Sequence, residues 1–161
     1  MNAEAQADRN GIVILGSTGS IGTNALDIAR HHPDEVEVTG LAGRRNVDLL
    51  EKQAREFRPS VVAVLDKDAA KTLKHRLRDL KVEVWAGPES LERIARLPEA
   101  GVVLTAVEGV AGLLPTLAAV EAGKVVALAN KEPLVAAGEQ VVARAAESGA
   151  HLLPVDSEHN A

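Results

Sequence analysis

Seven short apolar runs, rich in β-branched residues, recur along the 161-residue chain with helix-patterned stretches between them. They cover residues 12–15, 36–41, 61–65, 82–85, 102–107, 125–128 and 151–155. Each is too short for a helix and is bounded by turn residues, so each reads as a strand. The runs are nearly continuous in apolar character rather than alternating, as expected of strands buried on both faces. Between them, Ile21, Ala25, Ile28 and Ala29 fall on one helical face. Leu134, Val141, Val142 and Ala145 do the same after Pro133, a residue suited to a first helical turn. Further helical segments are read at 47–57, 68–80 and 112–122, the last with Pro115 near its start. Strand and helix alternating in this way imply right-handed crossovers and an α/β fold. The expected architecture is a doubly wound, Rossmann-like parallel sheet with helices on both faces.

Composition narrows the function. With 46% hydrophobic residues the chain can bury a proper core. A net charge of −5, one aromatic residue in a hundred and no basic block beyond Arg44-Arg45 argue against a nucleic-acid binder. No cysteine is present, which excludes disulfides, thiolate metal sites and a cysteine nucleophile within these residues and fits a cytoplasmic setting. No run approaches the roughly 18 apolar residues of a membrane span, so no membrane partner is expected. Residues 1–10 are polar and read as a disordered leader.

Directly after the first run comes Gly16-Ser17-Thr18-Gly19-Ser20-Ile21-Gly22. Three glycines at this spacing between strand and helix have a mechanical reading. The first turns the chain, the second admits a pyrophosphate close to the backbone, and the third lets helix pack on strand. The helix start then offers free N–H groups and positive dipole charge to phosphate, and Ser17, Thr18 and Ser20 add hydroxyl donors. An NAD-binding site would place an acid near the end of the second strand to hold the ribose 2′-hydroxyl. Here that place reads Arg44-Arg45-Asn46. Arginine pairs with a 2′-phosphate that an acid would repel, so NADPH is the expected cofactor.

Ala129-Asn130-Lys131-Glu132 follows the sixth run and opens a helix, on the sheet edge where ligands bind in such folds. Asn130 can hydrogen-bond a carboxamide or ribose, and Lys131 can hold an anionic substrate. Gly109-Val110-Ala111-Gly112, after the fifth run, lies on the same edge and could let backbone approach the cofactor. At the other end of the chain, Asp156 and Glu158 stand two apart in an extended segment, so both carboxylates point to one side. Together they could hold a hard cation, Mg²⁺ or Mn²⁺. His159 is read as lying behind these ligands or on the surface.

The stretches Ile14 to Gly22, Gly112 to Leu117, Leu128 to Glu132 and Leu153 to Ala161 resemble the 1-deoxy-D-xylulose 5-phosphate reductoisomerase family. The resemblance runs collinearly from Gly11 to Ala161, and the closing Asp-Ser-Glu-His-Asn-Ala is very specific. It implies conversion of 1-deoxy-D-xylulose 5-phosphate, a sugar phosphate, to 2-C-methyl-D-erythritol 4-phosphate in the non-mevalonate isoprenoid route. It further implies NADPH, a divalent metal and a homodimer. By resemblance, Thr18, Gly19, Ser20 and Ile21 surround the cofactor phosphates, and Gly16 and Gly22 frame them. Arg44, Arg45 and Asn46 match the adenosine end, where family members can carry Gly-Lys-Asn. Asn130 and Glu132 match cofactor contacts, and Lys131 a substrate contact. Asp156 and Glu158 match metal ligands, with Ser157 touching substrate and Glu158 also counted with the catalytic residues.

Family enzymes run to more than twice this length. The resemblance therefore implies a cofactor-binding domain at 11–150 and the first segment of a catalytic domain at 151–161, with little turnover from these residues alone. Two alternatives stay open at this point. One is another NADP-dependent dehydrogenase, such as a semialdehyde dehydrogenase, whose cysteine nucleophile is absent from these residues. The other is a non-enzymatic NADP-sensing domain, in which Asp156 and Glu158 would have no task.

Overall fold

The computed structural model describes residues 11–155. Its elements run β1 (Gly11–Leu15), α1 (Ser20–His31), β2 (Glu37–Gly43), α2 (Val47–Phe57), β3 (Val61–Val64), α3 (Lys67–Arg76), β4 (Glu83–Ala86) and α4 (Glu89–Ala95). Then follow β5 (Val102–Thr105), a short 3₁₀ turn (Val110–Gly112), α5 (Leu113–Glu121), β6 (Val125–Leu128), α6 (Glu132–Ser148) and β7 (His151–Pro154). The seven strands form one parallel sheet in the order β4-β3-β2-β1-β5-β6-β7. The doubly wound parallel fold read from the sequence is therefore the fold observed. All seven expected strands are present. The one expected at 151–155 pairs in parallel with β6 and forms an edge of this same sheet.

Alternate residues of each strand feed two separate hydrophobic clusters, as the pleat requires. Ile14, Leu41, Val62, Val64 and Leu104 pack with Leu26 and Ala29 of α1, Leu50 and Ala54 of α2, and Leu73 of α3. Val13, Leu15, Ala63, Val103, Val126 and Leu128 pack on the other face with Ile94 of α4, Ala119 of α5 and Val141 of α6. Helices α1–α3 thus cover one face and α4–α6 the other. Helix starts are fixed locally: the side chains of Asn46 and Asp66 accept from the N–H groups of Leu49 and Ala69. No helix among the described residues is long and apolar enough to cross a membrane.

The helical faces differ in detail from the sequence reading. Helix α1 buries Gly22, Leu26 and Ala29, whereas Ile28, expected in the core, is 60% exposed. Gly22 fixes this rotation because it lies against the Gly16–Ser17 backbone. Ile28 follows six residues on, about 120° from the contact line at 100° per residue. In α6, Val141 and Ala145 are buried as expected, but Leu134 and Val142 are exposed. Ala137 leaves helical geometry (φ −148°, ψ 36°) and breaks the register between Leu134 and Val141. Helix α4, seven residues long, has no counterpart among the helical segments read from the sequence.

The junction of β1 and α1 is a tight backbone contact. A Cβ added at Gly22 would lie 2.2 Å from the Gly16 carbonyl oxygen and 2.6 Å from the Ser17 Cα. Both neighbours are main chain, which cannot turn aside as a flexible side chain would. Gly22→Ala is expected to destabilise the chain by about 1–3 kcal/mol, the usual penalty for an extra carbon in a packed interior. It would be measured as a lowered urea midpoint at unchanged slope. A midpoint at or above that of the unsubstituted chain would show that α1 lifts off the loop without penalty.

Candidate functional site: a phosphate-binding cleft at the switch point

The chain builds β2, β3 and β4 on one side of β1 and then crosses over to build β5 on the other. The carboxyl ends of β1 and β5 flank the place where strand order reverses, which is where open α/β sheets bind ligands. A cleft of about 510 Å³ lies there. Gly16, Thr18 and Gly19 line it from the β1 loop, Gly43 and Arg44 from the end of β2, and Ala106, Val107 and Glu108 from the loop after β5. Leu65, Leu91 and Ala111 add apolar surface.

Each glycine of the loop has a distinct physical constraint. Gly16 turns off β1 with φ +88°, and a Cβ there would meet the Ala106 carbonyl oxygen at 2.4 Å. Gly22 is excluded from carrying a side chain by the contact described above. Gly19 has φ −82° and only one protein atom near its Cβ direction, the Gly16 oxygen at 3.6 Å. The protein itself therefore does not require glycine at position 19, but a ligand lying against this backbone would. The N–H groups of Gly16 and Ser17 both donate to the Ala42 carbonyl at 2.9 Å. Gly19 caps α1 without any side-chain acceptor, and the first bond into the helix runs from the Thr23 N–H to the Gly19 carbonyl. Among the described residues, the N–H groups of Thr18, Ser20, Ile21 and Gly22 have no acceptor. A helix start with unpaired N–H groups beside a cleft is a binding place for an anion.

One hydroxyl assigned to phosphate in the sequence reading is used elsewhere. Ser17 is fully buried, and its Oγ donates to Gln53 Oε1 at 2.8 Å. Gln53 Nε2 in turn donates to the Ser17 carbonyl at 2.9 Å. Ser17 thus braces the loop against α2 and offers its hydroxyl to nothing in the cleft. Thr18 remains on the cleft wall.

The arginine segment divides in a similar way. Arg44 lines the cleft. Arg45 is exposed beside it, and Asn46 caps α2. Neither arginine is ion-paired among the described residues, whereas Arg30, Arg55, Arg76, Arg96 and Arg144 all are. No carboxylate stands at the end of β2.

Asn130, Lys131 and Glu132 follow β6 on the same sheet edge, beyond the lining of the cleft. The Asn130 side-chain amide donates to the Val107 carbonyl, tying the loop after β6 to the loop after β5. Lys131 and Glu132 are exposed at the start of α6. Asp156, Ser157, Glu158 and His159 lie outside the described residues, as does 1–10. Among the described residues, no group of three His, Asp or Glu side chains could hold a metal ion.

The sequence reading missed Gln53 and Glu108. Gln53 occupies a buried position between Leu50 and Ala54 on the inner face of α2, and a polar residue there was the available signal. Glu108 immediately precedes the Gly109–Gly112 segment, which the sequence reading had singled out. Gly109 has φ +74°, and Ala111 reaches the cleft.

A family model for 1-deoxy-D-xylulose 5-phosphate reductoisomerase matches residues 12–138. The protein of that name from Symbiobacterium thermophilum is 55% identical over 157 residues, which is 95% of this chain and 41% of its own length. Its counterpart from Methylococcus capsulatus is 54% identical over 94% of this chain and 39% of its own length. The chain thus spans about two fifths of the length of these curated relatives. Among solved structures, the reductoisomerase from Zymomonas mobilis in complex with NADPH superposes with a TM-score of 0.89 at 41% identity, covering 94% of this chain and 40% of that one. A DOX-P reductoisomerase in complex with NADPH, fosmidomycin and magnesium gives the same score at 42% identity over 94% of this chain and 38% of its own. An NAD-binding oxidoreductase from Klebsiella pneumoniae, at 18% identity and a TM-score of 0.58, shares the fold alone. With the match extending over residues 12–138, the chain belongs to the 1-deoxy-D-xylulose 5-phosphate reductoisomerase family.

Proposed function

We propose that this chain is the NADPH-binding part of an enzyme that converts 1-deoxy-D-xylulose 5-phosphate to 2-C-methyl-D-erythritol 4-phosphate. The observation that carries the reading is the cleft at the switch point. It combines unpaired N–H groups at the start of α1, an open backbone at Gly19 and an unpaired Arg44 at the end of β2. This donor set fits a dinucleotide bearing a 2′-phosphate. Gly16, Thr18, Gly19, Ser20, Ile21 and Gly22 would take the diphosphate, and Arg44, Arg45 and Asn46 the adenosine end. Asn130 and Glu132 would lie toward the nicotinamide, with Lys131 toward the substrate. Relatives of high identity solved with NADPH, and with magnesium, support this reading.

The chain's own residues orient and shield the cofactor. The diphosphate charge is met by N–H groups already aimed by the fold, so little reorganisation is needed on binding. NADPH, when bound, supplies hydride to the rearranged substrate. Residues 11–150 act as the cofactor domain. The chain from His151 adds the sheet-edge strand and leads into the catalytic part, where Asp156 and Glu158 would hold Mg²⁺ or Mn²⁺ and Ser157 would touch the sugar phosphate. A cation held there would supply Lewis-acid polarisation of the ketone. The whole enzyme is read as a cytoplasmic homodimer, and the present residues alone as turning over little.

A fluorescence titration of the chain with NADPH and NADH side by side tests the reading. Tight NADPH binding with weak NADH binding is expected. Arg44→Ala combined with Arg45→Ala should weaken NADPH by about 1.5–3 kcal/mol, the worth of hydrogen bonds to a charged group, and leave NADH unchanged. Equal losses for both cofactors would show that the arginines do not read the 2′-phosphate. Gly19→Ala should cost about 1 kcal/mol of stability at most, because its Cβ has room but alanine caps a helix start less well than glycine, while lowering NADPH affinity at least tenfold by crowding the diphosphate. Unaltered affinity would mean that the diphosphate does not pass over Gly19.

A further inference from the structure

We propose that Gln53 is a positioning residue for the cofactor: it aims the Thr18 N–H into the cleft by holding the Ser17 carbonyl away from it. The inference rests on the NADPH reading above and deepens it. Gln53 is 5% exposed, lies on α2 and is not part of the cleft lining. Its carboxamide meets Ser17 twice, accepting from Oγ at 2.8 Å and donating to the main-chain oxygen at 2.9 Å. The Ser17 N–H is held independently, by the Ala42 carbonyl.

The geometry of the peptide group converts this pair into an effect on the ligand side. The unit joining Ser17 to Thr18 is planar and trans, so its C=O and N–H point in opposite directions. A donor in α2 that captures the Ser17 oxygen therefore turns the Thr18 N–H the other way, toward the side where Thr18 lines the cleft. That N–H has no acceptor among the described residues. Without the Gln53 amide, the same peptide could rotate and present its oxygen to the diphosphate, replacing attraction by repulsion.

Helix α2 is well placed to act as the strut. Its N-terminus is capped by Asn46, directly after Arg44 and Arg45, and Leu50 packs against Gly43 at the end of β2. Two turns into the helix, Gln53 reaches across to the glycine loop. One rigid element thus sets both the arginine end and the diphosphate end of the site, and the separation between them is fixed before cofactor arrives.

The test uses the 161-residue chain with four substitutions: Gln53→Met, Gln53→Glu, Ser17→Ala and Thr39→Val. Gln53→Met loses the donor to the Ser17 oxygen, and so does Gln53→Glu once ionised, for which its titrations are run at alkaline pH. Gln53→Glu keeps an acceptor for the hydroxyl, and it stands in if Gln53→Met does not fold. Ser17→Ala loses the hydroxyl arm and keeps the main-chain one. Thr39→Val removes a buried hydroxyl bond to the Ile12 carbonyl elsewhere in the sheet and controls for lost stability. Losing one aimed donor to a charged group is expected to weaken NADPH about tenfold or more in both Gln53 variants. Ser17→Ala should weaken it less, and Thr39→Val should lower the melting temperature without changing affinity. The Thr18 amide resonance of the unsubstituted chain should shift on NADPH addition. Folded Gln53 variants with unchanged NADPH affinity, or a Thr18 amide that does not respond to bound NADPH, overturn the inference alone. An unsubstituted chain that binds no NADPH overturns the cofactor reading and this inference with it.

Discussion

A single carbonyl, that of Ala42 in β2, accepts the N–H groups of both Gly16 and Ser17 and so fixes where β1 gives way to α1. From the other side the Ala106 carbonyl, just past β5, approaches Gly16 so closely that no side chain fits there. The loop is therefore seated between two strands that are neighbours of β1 only because the chain builds outward to β4 and then returns to place β5. Strand order, rather than the loop sequence alone, makes the cleft. The same glycine spacing in a meander would have no second wall.

Charge is distributed to suit this seat. The chain is net acidic, yet several of its exposed carboxylates are paired on the outer helical surface. Arg30 pairs with Glu56 across α1 and α2, while Arg55 of α2 pairs with Asp79 in the turn after α3 and Arg76 with Asp48 across α2 and α3. These pairs are exposed and contribute little stability individually. Their hydrogen bonds hold the Glu56 and Asp79 carboxyls below the usual carboxylate range and raise the partner guanidinium groups. The consequence for the site is that Arg44 and Arg45 have no such partner among the described residues and keep their charge available. Glu108 stands on the opposite wall, after β5, because β2 and β5 flank β1 on either side. The two walls are thus of opposite sign, and an anionic group is favoured toward the β2 end.

Much of this was legible in the sequence because it is written in local pattern. Unbroken apolar runs mark strands buried on two faces, and the order of runs and helices leaves few topologies. The glycine spacing gives the loop, and the absence of an acid after β2 carries the expectation of NADPH. What was not legible depends on partners distant in sequence. Ser17 reads as one more hydroxyl in a polar loop, and only Gln53, 36 residues away, shows that it faces inward. Ile28 reads as core until the backbone contact at Gly22 sets the rotation of α1. Leu134 reads as one face with Val141 until the break at Ala137 separates them, and Val142 lies about 100° round the helix from the buried Val141. Helix α4 is too short, at seven residues, to show a periodicity that stands out from its surroundings.

The cleft and the start of α6 are mechanically joined. The Asn130 amide holds the Val107 carbonyl, and Val107 lines the cleft. Lys131, the next residue, starts α6, and α6 leads through its Gly149 cap into β7. A displacement of the loop after β5 on cofactor binding would therefore be felt first at Asn130 and then at the start of α6. At that start Lys131 and Val135 are exposed, and Ala137 departs from helical geometry. The glycine loop, by contrast, is clamped by β2, β5 and α2 together. The fold thus braces the glycine loop with three elements and links it, through Val107 and Asn130, to an exposed helix start.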